Sequence, residues 1–228
     1  MDTLKRHGES IGHMSRRLLS EIQERVLSND AATVVLVEGI SDCFALEAAA
    51  AVYGRDLHVA GVDVLPMGGA TNIAHFLGVY GPGGRNARLG GLCDVGEEAL
   101  FARSLARAGL LGEVDRPAME SLGFFVCDRD LEDELIRALG PQRVEAIISR
   151  EGELASLRSL QQMPFHRQRR TNEHLHRFMG ARAGRKYRYA PLLASALDVD
   201  AMPRPLRDLL AFVSQPAFFE PGDPTASP

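Results

Sequence analysis

The chain has 228 residues, 45% hydrophobic and 25% charged, an ordinary globular composition that excludes collagen-like and bulk-disordered chains. No apolar run approaches the roughly 20 residues of a membrane helix, and the opening MDTLKRHGESIGH lacks the apolar core of a signal peptide, so the expected location is cytoplasmic with no membrane partner. The net charge of −4 by itself argues against a nucleic-acid protein, yet nine Lys or Arg and a single acid, Glu173, fall within 158–188, and such a local basic patch can bind phosphate despite the negative total.

Residues 3–28 read as a helix, because Ile11, Met14, Leu18, Ile22 and Val26 recur at three- and four-residue steps. That stripe is expected to pack on its own domain, a homodimer through the same helix being the alternative. From Ala31 short apolar runs alternate with helical patterns. TVVLV (33–37) has no polar alternation, so both its faces should be buried, as in a parallel sheet covered by helices. A helix over about 41–53 follows. VDVLP (62–66) is the second strand, then GGATN and a helix near 73–79. LGGLC (89–93) and GFFVC (123–127) are the third and fourth, with helices over about 97–108 and 131–139. Strand–helix repetition of this kind predicts an open α/β sheet over 30–140. After Pro141 the pattern is helical and polar to about 213, broken by glycines in GARAGRK (180–186). A tail over 214–228, rich in proline, should be disordered. Cys43, Cys93 and Cys127 lie in or beside apolar runs with no CxxC spacing, and are read as reduced, buried thiols.

Three of the four strands run into carboxylates: Glu38 after the first, Asp94 after the third, and Asp128 after the fourth, with Asp130, Glu132 and Asp133 just beyond. In a parallel sheet all carboxyl ends share one edge, where open α/β sheets place their sites. Acids distant in sequence should therefore converge, and their mutual repulsion would be relieved by a divalent cation. Oxygen donors without His or Cys favour Mg²⁺, Mn²⁺ or Ca²⁺ over zinc. Read singly, Ser41 or Asp42 would cap the first helix, and Asp130 its own. GGATN (68–72) offers amides to a phosphate, or is simply a tight turn. GPGGRN (81–86) reads as a mobile loop near the substrate edge. In FHRQRRTNEHLHRF (165–178), Arg167, Arg169, Arg170 and Arg177 are set to track a nucleic-acid backbone, and the histidines read as surface residues or weak phosphate donors; a solvated helix face is the competing reading.

VVLVEGISD (34–42) resembles the first motif of the Toprim domain, the metal-binding α/β domain of topoisomerases, DnaG-type primases, recombination-mediator proteins and OLD-family nucleases. GLCDVGEE (91–98) fits the family's later aspartate motif, and FFVCDRDLEDEL (124–135) looks most like the OLD type, in which an acid or serine, one spacer and a glutamate complete a second cation site. The resemblance implies Glu38, Asp42, Asp94, Asp130 and Glu132 as ligands for one or two Mg²⁺ or Mn²⁺ ions. It also implies a lysine beyond the core domain, for which Lys186 stands at a compatible distance. Independently, only Lys5 and Lys186 are lysines among 26 basic residues, so an ammonium at 186 is notable in an arginine-biased chain. Arg185 competes with it, and is otherwise a further candidate for the nucleic-acid surface. The chain departs from the family at Gly96, where a second aspartate is usual; Glu97 or Glu98 would have to reach in. It also contains no GxxxxGK[ST], so an ATPase would be a separately encoded partner.

The expected protein is thus a Toprim-like α/β domain acting as a metal-dependent nuclease on nucleic acid, with DNA the expected substrate from the family resemblance. Glu38 would act as general base or acid and Lys186 would stabilise transition-state charge. A non-catalytic module that binds nucleic acid or an ATPase is the alternative, and a nucleotidyl transferase a third.

Overall fold

The computed structural model describes residues 17–24, 31–113, 115–164, 170–182 and 184–215. Most of the predicted leading helix and nearly all of the predicted tail lie outside these. Within the described part, 17–24 is helical (α1). Its Ile22 is buried against the sheet and the Gln23 amide donates to the Pro66 carbonyl at 2.9 Å, so this part of the stripe packs on its own chain.

Four parallel strands form the sheet in the order β2-β1-β3-β4: β1 Thr33–Val37, β2 Val62–Pro66, β3 Arg88–Asp94 and β4 Phe124–Cys127. Helices α2 (Ile40–Val52), α3 (Ile73–Tyr80), α4 (Glu98–Arg107), α5 (Arg116–Ser121) and α6 (Leu131–Leu139) connect or follow them. The chain then runs through α7 (Pro141–Arg150), α8 (Leu154–Gln162), α9 (Thr171–Gly180), α10 (Arg185–Ser195) and α11 (Arg204–Ser214). The fold is an open, wholly parallel α/β sheet covered by helices, and each strand's central residues are buried.

Period-two alternation divides the core into two layers. Val35, Val37, Val64, Leu92 and Phe125 face α2, α6 and the helices from α7 to α11. Val34, Leu36, Leu65, Cys93 and Phe124 face α1, α3, α4 and α5. The helices after Pro141 therefore share a core with the sheet; α10 lies along α2. All three cysteines are buried and none is in a disulfide, and among the described residues no helix is long and apolar enough to cross a membrane.

Two features of the sheet place the site. The strand order reverses between β1 and β3, so the crossovers leave in opposite directions and open a crevice at the carboxyl ends of those strands. Glu38 follows one of them and Asp94 ends the other. The second feature is close approach: a Cβ on Gly91 of β3 would stand 2.6 Å from the Leu36 carbonyl oxygen and 2.9 Å from the Phe124 ring. We expect Gly91→Ala to cost at least about 2 kcal/mol in urea denaturation, since an overfilled, two-sided contact has no room to relax; a wild-type midpoint would contradict this.

The parallel topology also relocates one loop. GPGGRN (81–86) joins α3 to the start of β3, and so lies at the amino edge of the sheet, opposite the crevice. Its glycines permit tight backbone turns, with a Cβ at Gly84 colliding with the Val79 carbonyl, and do not serve the substrate edge.

Candidate functional site

β1 is followed immediately by Glu38 and Gly39, and Gly39 opens α2 in an extended conformation. Asp42, in the first turn, accepts the Gly39 N–H at 2.8 Å, so it does cap its helix, from the third position inward. The turn after β2 holds this segment: the N–H groups of Gly68 (φ +75°) and Gly69 (φ +128°) both donate to the Glu38 carbonyl, at 3.0 and 3.1 Å. Those amides are consumed in positioning Glu38, which settles GGATN as a tight turn and not a phosphate cradle.

Glu38, Asp42, Asp94 and Glu132 line one cavity of about 360 Å³, together with Ser41, Lys186 and Tyr187. Glu132 projects from the first turn of α6 and is 3% exposed. Its Oε1 forms an ion pair with the Lys186 ammonium at 3.0 Å. Lys186 comes from the first turn of α10, and its own burial is offset by the attraction of Glu132 and its neighbours, which holds its pKa above the usual lysine value.

Burial is the main cause of the shifts among the acids. It pushes Asp42 up to about 8, with Glu132 and Asp94 adding repulsion against the Gly39 amide, which acts the other way. Asp94 is pushed up to about 7 by burial, then by Asp130, Glu38 and Glu132. Glu38, exposed at the mouth, is raised by desolvation and by Glu97, and lowered in part by Lys186. Converging acids with raised pKa values in one cavity mark a candidate functional site.

Asp130 and Glu97 do not line the cavity. Asp130 caps α6, its Oδ1 accepting the Asp133 N–H at 2.8 Å, and its Oδ2 lies 2.5 Å from His176 Nε2. Burial would raise its pKa, but these bonds and the nearby Lys186 hold it below the usual carboxylate value. Glu98 is bound by Arg116, 3.0 Å from Nε, and is directed away.

The basic stretch divides. Arg167 and Arg169 lie outside the described residues. Arg170, Arg177 and Arg182 are exposed, and Gly180 and Gly184, which bracket Arg182, line the cavity. Arg185 is instead a core residue, 5% exposed: it bonds Glu153 through Nε and Nη2 at 3.1 and 3.0 Å, gives Nη1 to the Phe178 carbonyl, and stacks 3.6 Å from the Phe178 ring centroid. It is unavailable to a phosphate. His174 is likewise buried and His176 is bound to Asp130, so neither is a surface histidine. Sequence reasoning missed Tyr187 and the bond of His176 to Asp130; no spacing signal marks them, because their neighbours at the site lie far away in the chain.

The donors are of the type that suits a hard cation, since all are oxygen. Among the described residues no three His, Cys, Asp or Glu side chains are placed so that they could together hold a metal ion. Without a cation, the folded chain holds protons on Asp42 and Asp94 more tightly than the unfolded chain, whose aspartates titrate near pH 4. These two groups therefore make the cation-free protein less stable as pH rises through about 7 to 8. The acids held low, Asp130, Glu98 and Glu153, are already ionised there and do not oppose the trend. Thermal denaturation in chelator should give a lower Tm at pH 8 than at pH 6, and Mn²⁺ should stabilise more at pH 8; the reverse order would contradict the assignment.

Residues 31–84 match the model of the overcoming lysogenization defect protein-like TOPRIM domain. Among solved structures, the chain is similar to the C-terminal region of the Burkholderia pseudomallei OLD protein, with 26% identity and a TM-score of 0.63, over 81% of this chain and 97% of that one. It is similar to the C-terminal region of the Xanthomonas campestris pv. campestris OLD protein with 27% identity and a TM-score of 0.63, over 80% and 94%. No curated protein matches the sequence. Residues 31–84 thus resemble an OLD-like Toprim domain, and most of the chain resembles the C-terminal regions of OLD proteins in fold and sequence.

Proposed function

We propose that this Toprim-type chain is a divalent-metal-dependent nuclease that hydrolyses phosphodiesters in nucleic acid, DNA being the first substrate to try. The observation that carries the reading is the convergence of Glu38, Asp42, Asp94, the buried Glu132 and the Lys186 ammonium around one cavity. Glu132, Asp42 and Asp94 would hold Mg²⁺ or Mn²⁺, which when bound supplies Lewis-acid stabilisation of the phosphoryl oxygens and a more acidic water. Glu38 sits at the mouth with a raised pKa, suited to accept the proton of the attacking water. Lys186 faces the charge that develops as the phosphorus–oxygen bond breaks. Exposed Arg170, Arg177 and Arg182 would contact the backbone on either side.

Incubating the full chain with supercoiled plasmid and Mn²⁺ tests this. Cleavage that disappears with chelator is the expected result. One observation favours a second reading: Gly96 contributes no side chain where the family resemblance expects an acid. Plasmid that is shifted in a gel yet uncut by Mg²⁺ or Mn²⁺ would establish the non-catalytic binding module instead.

A further inference from the structure

A second recess, of about 310 Å³, adjoins the acidic cavity. Leu19, Gly68 and Gly69 line it alone, whereas Glu38, Gly39, Ile40 and Tyr187 line both spaces. The recess stays open because its two own glycines bring no side chain. A Cβ at Gly68 would press on Leu19 Cδ2 at 2.9 Å, and one at Gly69 would enter open space. Their amides are already used on the Glu38 carbonyl. Ile40 is buried, and Tyr187, half-buried, packs against the same core layer, so the ring is supported from behind.

The two spaces differ in chemistry. The first gathers Glu38, Asp42, Asp94, Glu132 and the Lys186 ammonium. No lysine or arginine of the described residues lines the second, and its one charge is the Glu38 carboxylate on the shared wall. A phosphate is repelled there. A flat, uncharged group instead buries apolar surface against Leu19 and Ile40 and stacks on an aromatic ring. Of the parts of a nucleotide, the base is that group, and the volume is at the small end for ligand sites, roughly 300 Å³ upward. We propose that this recess takes one unstacked nucleobase beside the phosphate held at the acidic cavity, and that Tyr187 is its stacking partner. The inference rests on the reading above that nucleic acid binds at that cavity. Tyr187 follows Lys186 at the start of α10, so the turn that presents the ammonium also presents the ring.

The chain contains no tryptophan, so Tyr187→Trp, which keeps a stacking face, places a single indole at the site. The full chain is titrated in Ca²⁺, a hard oxygen-bound cation, with a short single-stranded oligothymidylate and with an abasic strand of equal length. Oligothymidylate should quench the indole and the abasic strand should not. The parent should bind oligothymidylate at least about fivefold more tightly than the abasic strand, the smaller end of what one base–aromatic stack contributes. Tyr187→Leu, which fills space without a π-face, should lose that difference by weakening on oligothymidylate alone, and Tyr187→Phe should keep it. Equal affinity of the parent for the two strands, or an indole that oligothymidylate does not quench, overturns the inference and leaves the recess to another occupant, such as an apolar side chain of a protein partner. With plasmid still cut, that result leaves the nuclease reading intact. Base-dependent quenching without plasmid cleavage does the opposite. Binding of neither strand overturns both.

Discussion

Glu38→Gln abolishes Mn²⁺-dependent cleavage by about 100-fold or more, the contribution expected of a positioned general base, while leaving thermal stability equal to or above that of the parent. The two halves of this expectation have different origins. Glutamine keeps the shape and length of the side chain but cannot accept a proton. Glu38 is exposed and is itself one of the charges that repel Asp94, so neutralising it relieves strain in the cation-free fold. Its backbone is held by the Gly68 and Gly69 amides, which the substitution does not touch. Rates on plasmid at saturating Mn²⁺, with Tm measured alongside, check both halves. Cleavage within a few-fold of the parent removes Glu38 from the mechanism. A large fall in Tm would mean that the carboxylate has a structural role that its exposure does not suggest.

Arg185→Met costs the fold about 3 kcal/mol, the lower part of the range for breaking a buried ion pair. The guanidinium satisfies Glu153, Ser156 and the Phe178 carbonyl together and lies over the Phe178 ring. Its removal leaves Glu153 with the Tyr189 hydroxyl, at 3.0 Å, as the remaining bond of this group. Lysine should not rescue it, because a single ammonium cannot reproduce the planar fork or the stacking. The double substitution Arg185→Met with Glu153→Met should recover much of the loss, since no buried charge is then left alone. Urea midpoints of the four proteins give the test, and nucleic-acid affinity of the folded protein should not change. Wild-type stability in the single variant would show that Arg185 does not hold α10 in place.

The contrast between Arg185 and Lys186 shows what the chain's text reveals and what it conceals. Runs such as TVVLV are legible as buried parallel strands because unbroken β-branched sequence has no other stable use, and the acids at their ends are legible because such strands share one edge. That is enough to place Glu38, Asp42, Asp94 and Glu132 near one another. Neighbours on a helix, however, point about 100° apart, so one of two adjacent cations turns into the core and the other toward the cavity, and nothing in GRKYRY states which. The rarity of lysine gave a hint for Lys186; arginine is common here, and its burial depends on Glu153 and Phe178, which tertiary packing alone brings to it. His176 and Asp130 meet for the same non-local reason. The position of GPGGRN follows from topology, which loop length cannot report.

Lys186 stands on α10, close to the far end of the described chain, while Glu38 directly follows the first strand. During synthesis the sheet and its acids emerge well before the helix that brings the ammonium. Joining such distant segments is entropically slow compared with closing local turns. A nascent chain whose α10 has not yet emerged would therefore own its carboxylates without the Lys186 ammonium beside them, until α10 docks along α2.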